Sequence, residues 1–272
     1  MQPARARGQR HNQNKVYQDK NLQIIFGVAL IAVLGVSSIT PAFPKLAGAL
    51  NVPPQRIGLL VTVFTFPTVV LGPVLGVLAD RLGRKKILVP SLLLFGIAGT
   101  ACAFAQNFNL LVLLRFLQGI GAASLLSLSI TLIGDLYTGE RRTAAMGYNA
   151  SVSSIGTASY PTIGGTLAIL GWNYPFMLSL AAIPMALLVL FSLKNPEPKG
   201  EQNLKVYLQN AWKSLQNRQI VGLFIASAAN FILLYGAYVT YLPLLIAKSF
   251  QASSFTIGLV LSSISVAIAF TS

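Results

Sequence analysis

Eight apolar runs, each about 20 residues long or more, set the limits on what this chain can become: roughly 22–40, 57–79, 87–105, 110–133, 144–170, 174–193, 220–246 and 255–271. A helix rises about 1.5 Å per residue, so about 20 residues cross the ~30 Å hydrocarbon core of a bilayer. In that core every backbone N–H and C=O must be paired within the segment, and a helix does this. The expected fold is an all-α integral membrane protein. Composition agrees, since 54% of the 272 residues are hydrophobic and 10% are charged, too few charges for a water-soluble domain of this length.

The formal net charge of +14 suggests nucleic acid, but the apolar runs hold the cations apart and leave no continuous basic face. Cys102 is the single cysteine and lies inside a run, so it builds neither a disulfide framework nor a thiolate metal site. The one histidine, His11, sits in a polar tail beside Arg10 and Asn12 with no carboxylate or cysteine close in sequence. No nucleophile elbow or P-loop occurs. The partner expected is the lipid bilayer, with no nucleic acid, no metal, no cofactor and no enzymatic activity.

Charge also orients the spans. Lys and Arg number 5 in the tail, 4 at 81–86, 2 at 141–142 and 5 at 194–218, whereas the alternate connections hold 2 at 45–56, none at 106–109 or 171–175, and Lys248 alone. Cations flanking spans stay on the cytoplasmic side, so the N-terminus, the 81–86 loop and the 194–218 connection are expected there, in an inner or plasma membrane. The basic tail could serve as a signal-peptide n-region, but seven further spans and no A-x-A-like site favour an uncleaved first helix.

The stretch GVLADRLGRKK, from Gly76 to Lys86, gathers one carboxylate and four cations. Asp80 falls at a helix C-terminus, where a carboxylate costs up to about 1 kcal/mol unless cations meet it. Arg81, Arg84, Lys85 and Lys86 are near enough, Gly83 can take a left-handed turn, and Gly76, one turn earlier, allows close helix contact. A plain positive-inside loop would also account for the cations. The pattern G-x-x-x-D-R-x-G-R-K-K resembles the signature loop between helices 2 and 3 of the major facilitator superfamily. That resemblance implies a conformational latch on the cytoplasmic side with Asp80 and Arg84 as its main charges. Asp135, followed by Glu140, Arg141 and Arg142, is placed to join such a cluster.

The fourth run, LLRFLQGIGAA, puts Arg115, Gln118, Gly119, Ala122 and Ala123 on one helix face. Arg115 either snorkels to the nearby outer interface or is a functional group inside the span. R-x-x-Q-G resembles the family's helix 4 motif, which implies a role for Arg115 and Gln118 in proton coupling or substrate binding. The fifth run carries Gly156, Tyr160, Pro161, Gly164 and Gly165, small residues and a breaker that permit close packing and bending. It is similar to the motif G-x-x-x-G-P-x-x-G-G of drug:proton antiporters, with Tyr160 in place of the glycine before proline. No span interior holds Asp or Glu, and GVSSITP offers only Ser37, Ser38 and Thr40. Protons are thus a coupling ion implied by resemblance, without a visible carboxylate to carry them.

The chain repeats itself at an offset of 200. Pro44 precedes Ile57-Gly58 much as Pro243 precedes Ile257-Gly258, each pair opening an apolar run. Two parallel six-helix halves, each a 3+3 inverted repeat, would give this. The expected organisation is a cytoplasmic basic tail (1–21), a six-helix bundle (22–193), a cytoplasmic linker (194–218) and two helices of a second half (219–272). The linker's pattern from Lys205 suits a surface-lying helix. The expectation is a secondary transporter apparently truncated after helix 8, exporting small drug-like or metabolite substrates by alternating access. A non-transporting fragment, an assembly partner of a second copy or separate C-terminal half, and a facilitator for sugars or other metabolites are the alternatives.

Overall fold

A carboxylate opens the first helix. Asp19 accepts a hydrogen bond at 2.9 Å from the Asn21 N–H and so caps α1, Lys20–Ser37. The structure, a computed structural model, describes residues 16–194 and 233–271, with isolated positions between 219 and 229. The tail with His11 and the linker with its pattern from Lys205 lie outside the described residues.

Among the described residues every regular element is helical. After α1 come α2 (Leu59–Leu82), α3 (Arg84–Cys102), α4 (Phe108–Ala122), α5 (Leu125–Leu136), α6 (Gly139–Leu170), α7 (Ala182–Ser192), α8 (Leu242–Phe250) and α9 (Ser254–Thr271). Five stretches are long and apolar enough to cross a membrane: Lys20–Ala49, Pro54–Leu82, Arg84–Cys102, Phe108–Leu136 and Tyr174–Ser192. Helix α6 has the length, 32 residues, while its many Ser, Thr and Gly lower its hydropathy. Most of its Ser and Thr hydroxyls are paired within the helix: Ser151, Ser153, Thr157, Ser159 and Thr166 each donate to the carbonyl four residues back.

Three runs differ from the sequence expectation. The first run, expected over roughly 22–40, is interrupted: α1 stops at Ser37, and the chain continues past Pro41 and Pro44 through a tight turn, Thr40–Ala42, into a short helix, Phe43–Ala49. Both prolines sit in first turns, where the missing N–H costs nothing. The fourth run breaks between α4 and α5 at Ala123–Ser124, where Ser124 donates to Ser91 at 2.8 Å and Ser127 bonds the Ser124 carbonyl. The described part of the seventh run is a wide-turned segment, Leu233–Tyr241, leading into Pro243, which has no N–H to give the preceding turn.

The 200-residue repeat has a backbone counterpart. Among the described residues Asn51 and Gln251 are the two non-glycine residues with positive φ, at 50° and 48°, and each follows a proline-initiated helix, Phe43–Ala49 and α8. Ile57 and Ile257 are both buried. Helix α7 lies between α1 and α3, with Gly27 against Met185 and Gly96 against Ile183, while α6 packs on α1 and α9.

Candidate functional site

At the charged loop α2 runs past Asp80 to Leu82, and Gly83, with φ at 101°, turns the chain directly into α3. No side chain adopts that φ readily, so the glycine is required by the sharpness of the turn. Arg84 then reaches Asp80 at 2.6 Å and Asp135, at the end of α5, at 2.9 Å. The second contact is an ion pair rather than an aligned hydrogen bond, since Arg84 Nε and Asp135 Oδ2 have no hydrogen-bond partner. It is the better shielded pair, with Asp135 23% exposed against 52% for Asp80. Arg84 also places a cation by the negative end of α5, which stabilises both.

Lys85 does not join these charges; its amine donates to the Leu193 carbonyl beyond α7 at 3.3 Å. Arg81 and Arg141 are exposed. Gly76 faces open space among the described residues, so the close contact expected there is not seen. Burial, followed by the neighbouring Asp19 carboxylate, pushes the Tyr137 phenol above its ordinary range, and Arg141 opposes this weakly.

Arg115 is fully buried and does not snorkel. Its Nη1 donates to the Gly35 carbonyl at 2.9 Å and to Gln118 Oε1 at 2.7 Å, and Nε to the Leu60 carbonyl at 3.3 Å. The guanidinium lies 4.2 Å from the Phe64 ring centroid. Gln118 passes the network on to Ser179 at 3.0 Å, so one cation ties α1, α2 and α4 to the sixth run. The Gly35 carbonyl needs this donor: the Ile39 N–H that would serve it in a continuing helix turns to Val36 instead. Gly119 lets α4 approach α2, because a Cβ there would collide with the Phe64 carbonyl.

The fifth-run motif sits where helices touch backbone to backbone. A Cβ on Gly164 would strike the Ser38 carbonyl, and one on Gly165 the Ser254 carbonyl of α9; Gly258 in turn faces the Pro161 carbonyl. Gly156 faces Leu30 and Tyr160. Thr162 donates to Ser262 at 2.7 Å, joining α6 to α9.

Sequence reasoning missed Phe64, Ser179, Thr162, Ser262 and Lys45, whose amine donates to the Ala168 carbonyl at 2.9 Å. Ser179 carried a readable signal as the one hydroxyl between Pro175 and Phe191. The others are ordinary residues whose partners come from distant helices.

Several membrane-length helices, a glycine-turned charged loop and a buried arginine network define a polytopic helical membrane protein. The sequence model of the Major Facilitator Superfamily matches residues 25–272, and the chain belongs to that family, whose members are integral membrane transporters and not enzymes. The bacillibactin exporter of Bacillus subtilis (strain 168) is 34% identical over 164 residues, covering 58% of this chain and 41% of that protein. The quinolone resistance protein NorA of Staphylococcus aureus (strain MRSA252) is 27% identical over 230 residues, 82% of this chain and 59% of NorA. Multidrug resistance protein 1 of Bacillus subtilis (strain 168) is 30% identical over 181 residues, 66% of this chain and 46% of that protein. The chain thus spans about half the length of these relatives. An inward-facing, unoccupied bacterial homologue of the human lysosomal transporter Spinster superposes with TM-score 0.77 at 18% identity, over 93% of this chain and 61% of that one. A D-xylose–proton symporter gives TM-score 0.63 at 17% identity, over 90% and 66%. These two establish the shared fold.

Proposed function

We propose that the chain works as a secondary transporter that exports small, amphipathic, drug-like or metabolite molecules by alternating access, with protons as the coupling ion. The observation that carries this reading is the pair of contacts by which Arg84 holds Asp80 and Asp135 at one end of the bundle. A latch of this kind can be broken and remade as the ends open in turn. Support for export comes from relatives named as a bacillibactin exporter and a multidrug resistance protein. In this reading residues 22–193 form the first half, 194–218 the linker and 219–272 the start of a second half, with the N-terminus cytoplasmic. Asp80, Arg84 and Asp135 form the gate, flanked by Gly76, Arg81, Gly83, Lys85 and Arg141. Arg115 and Gln118 hold the transport pathway in shape, and Gly119, Gly156, Pro161, Gly164 and Gly165 let the helices slide at close range. A second copy or a separate C-terminal half would complete the cavity.

One observation favours a second reading, facilitation without protons. Of the described carboxylates, Asp19, Asp80, Asp135 and Glu140, each lies at a helix end: Asp80 and Asp135 in the last residues of Pro54–Leu82 and Phe108–Leu136, Asp19 just before Lys20–Ala49, and Glu140 in the first turn of α6. The test is efflux of a fluorescent drug panel from liposomes holding the full chain, with and without an imposed pH gradient, alongside Arg84→Gln. Gradient-driven efflux that the substitution reduces at least about tenfold supports the coupled transporter, a factor equal to about 1.4 kcal/mol. Equilibration indifferent to the gradient means a facilitator, and no movement by a folded preparation counts against transport by this chain alone.

A further inference from the structure

Helices α3 and α7 are antiparallel neighbours along their whole length, from Lys85 against Leu193 at one end to Gly96 against Ile183 further along. Antiparallel helices turn in opposite senses when seen from one end. A residue one step past a contact position therefore points to the same side of the pair on both helices. On α3 these residues are Lys86, Pro90 and Ile97, and on α7 they are Pro184, Leu187 and Phe191; all are exposed. Ile97 is 59% and Phe191 79% exposed, so the shared side is an apolar groove facing outward from the bundle. It ends in cations. Lys86 closes the α3 stripe, and Lys194 follows the Leu193 that Lys85 contacts. The Lys194 N–H bonds Asn21 Oδ1 at 3.0 Å, which brings Lys20 at the start of α1 to the same place. Among the described residues no hydrogen bond or ion pair engages the amines of Lys20, Lys86 and Lys194. Of the carboxylates at that end, Asp19 caps α1, and Asp80 and Asp135 hold Arg84.

We propose that this groove is a binding site for an anionic phospholipid, its phosphate held by Lys20, Lys86 and Lys194 and one acyl chain lying along Pro90, Ile97, Leu187 and Phe191. The proposal rests on membrane embedding and is independent of transport. Amines spaced around one helix junction, above a continuous apolar stripe, match a headgroup joined to a chain; a free anion would use only the amines.

Native mass spectrometry of the full chain, released from nanodiscs of equal phosphatidylglycerol and phosphatidylcholine, tests this. Phosphatidylglycerol is expected to be retained preferentially. Lys86→Gln with Lys194→Gln should cut that preference roughly tenfold or more, Lys86→Arg with Lys194→Arg should keep it, and the charge-matched pair Arg56→Gln with Lys248→Gln at the other end should leave it unchanged. An equal loss in both glutamine pairs would reduce the effect to general charge and overturn the site. So would unchanged retention in Lys86→Gln with Lys194→Gln, or displacement of the lipid by millimolar inorganic phosphate. Phe191→Ala, which leaves every amine in place, should also lower retention; no effect would remove the acyl-chain part of the proposal.

Discussion

Alanine in place of glycine should have opposite effects at Gly164 and Gly76. In a helix interior Gly→Ala gains up to about 1 kcal/mol from backbone entropy at either position. Gly76 has open space beside it, so Gly76→Ala should keep that gain. At Gly164 the new methyl meets the Ser38 carbonyl oxygen, a backbone atom that no rotamer change can move. The helices must part, and overpacking of this kind costs about 1–3 kcal/mol. Parting α6 from its neighbours also strains the adjacent approach of Gly165 to Ser254 and the 2.7 Å bond from Thr162 to Ser262. The net expectation is a loss of about 1–2 kcal/mol for Gly164→Ala, and a gap of about 2–3 kcal/mol between the two variants. Reversible unfolding in mixed micelles, followed by circular dichroism, measures the difference. Equal shifts, or stabilisation by Gly164→Ala, would refute the claim that α6 packs here backbone to backbone.

Arg115→Met should destabilise less than Gln118→Leu with Ser179→Ala in the same background, because the first removes a buried charge while the second leaves that charge with fewer acceptors; thermal unfolding ranks them. Asp135→Asn, which breaks the better shielded contact of Arg84, should raise the accessibility of a reporter cysteine at the charged end more than Asp80→Asn does, read by maleimide labelling rates. Removing the hydroxyl with Ser262→Ala should cost about 1 kcal/mol and loosen α9 from α6, visible as faster hydrogen exchange in Ser254–Thr271. The folded state favours protonated Tyr137, so its contribution is present below the phenol's ordinary value near 10 and declines as pH rises beyond it; Tyr137→Phe should flatten that alkaline slope in an unfolding series.

The spans were legible because their physics is local. A run of apolar residues must be helical in lipid whatever its neighbours do, and α2, α3 and α6 lie within a few residues of the expected bounds. Gly83 was legible for the same reason, since a helix ending in D-R-L-G before a new basic helix needs a residue free to take positive φ. The interruptions at Ser38–Thr40 and Ala123–Ser124 were not, because they depend on acceptors elsewhere: Arg115 beneath Gly35, and Ser91 across from Ser124. The sequence marked Arg115 as unusual but gave no means of choosing between the interface and the interior. That choice is made by Gly119, which draws α4 onto α2 and closes the route outward.

Three cations, one buried, one half-buried and one exposed, share a solution that the count of charges alone conceals. Twenty Lys and Arg stand against six Asp and Glu, so most cations have no carboxylate to meet. Three of them find the negative ends of helices instead. Arg115 donates to Gly35 in the last turn of α1, Lys45 to Ala168 and Ile169 in the last turn of α6, and Lys85 to Leu193 beyond α7. Each helix end carries carbonyls without N–H partners and about half a negative charge, so one amine or guanidinium satisfies the acceptors and is itself neutralised in part. The three contacts fix the ends of the first, fifth and sixth spans without placing a carboxylate in the bilayer. They also divide the cations by role: Arg115, Lys45 and Lys85 hold helix ends, while Arg84 holds two carboxylates. A lysine at position 115 would keep a positive charge near Gly35 but could not reach Leu60 and Gln118 together in a guanidinium's fork. Arg115→Lys should therefore preserve the α1 cap while slackening α2, and cysteine cross-linking between α2 and α4 would report that slack as a broader range of reacting pairs.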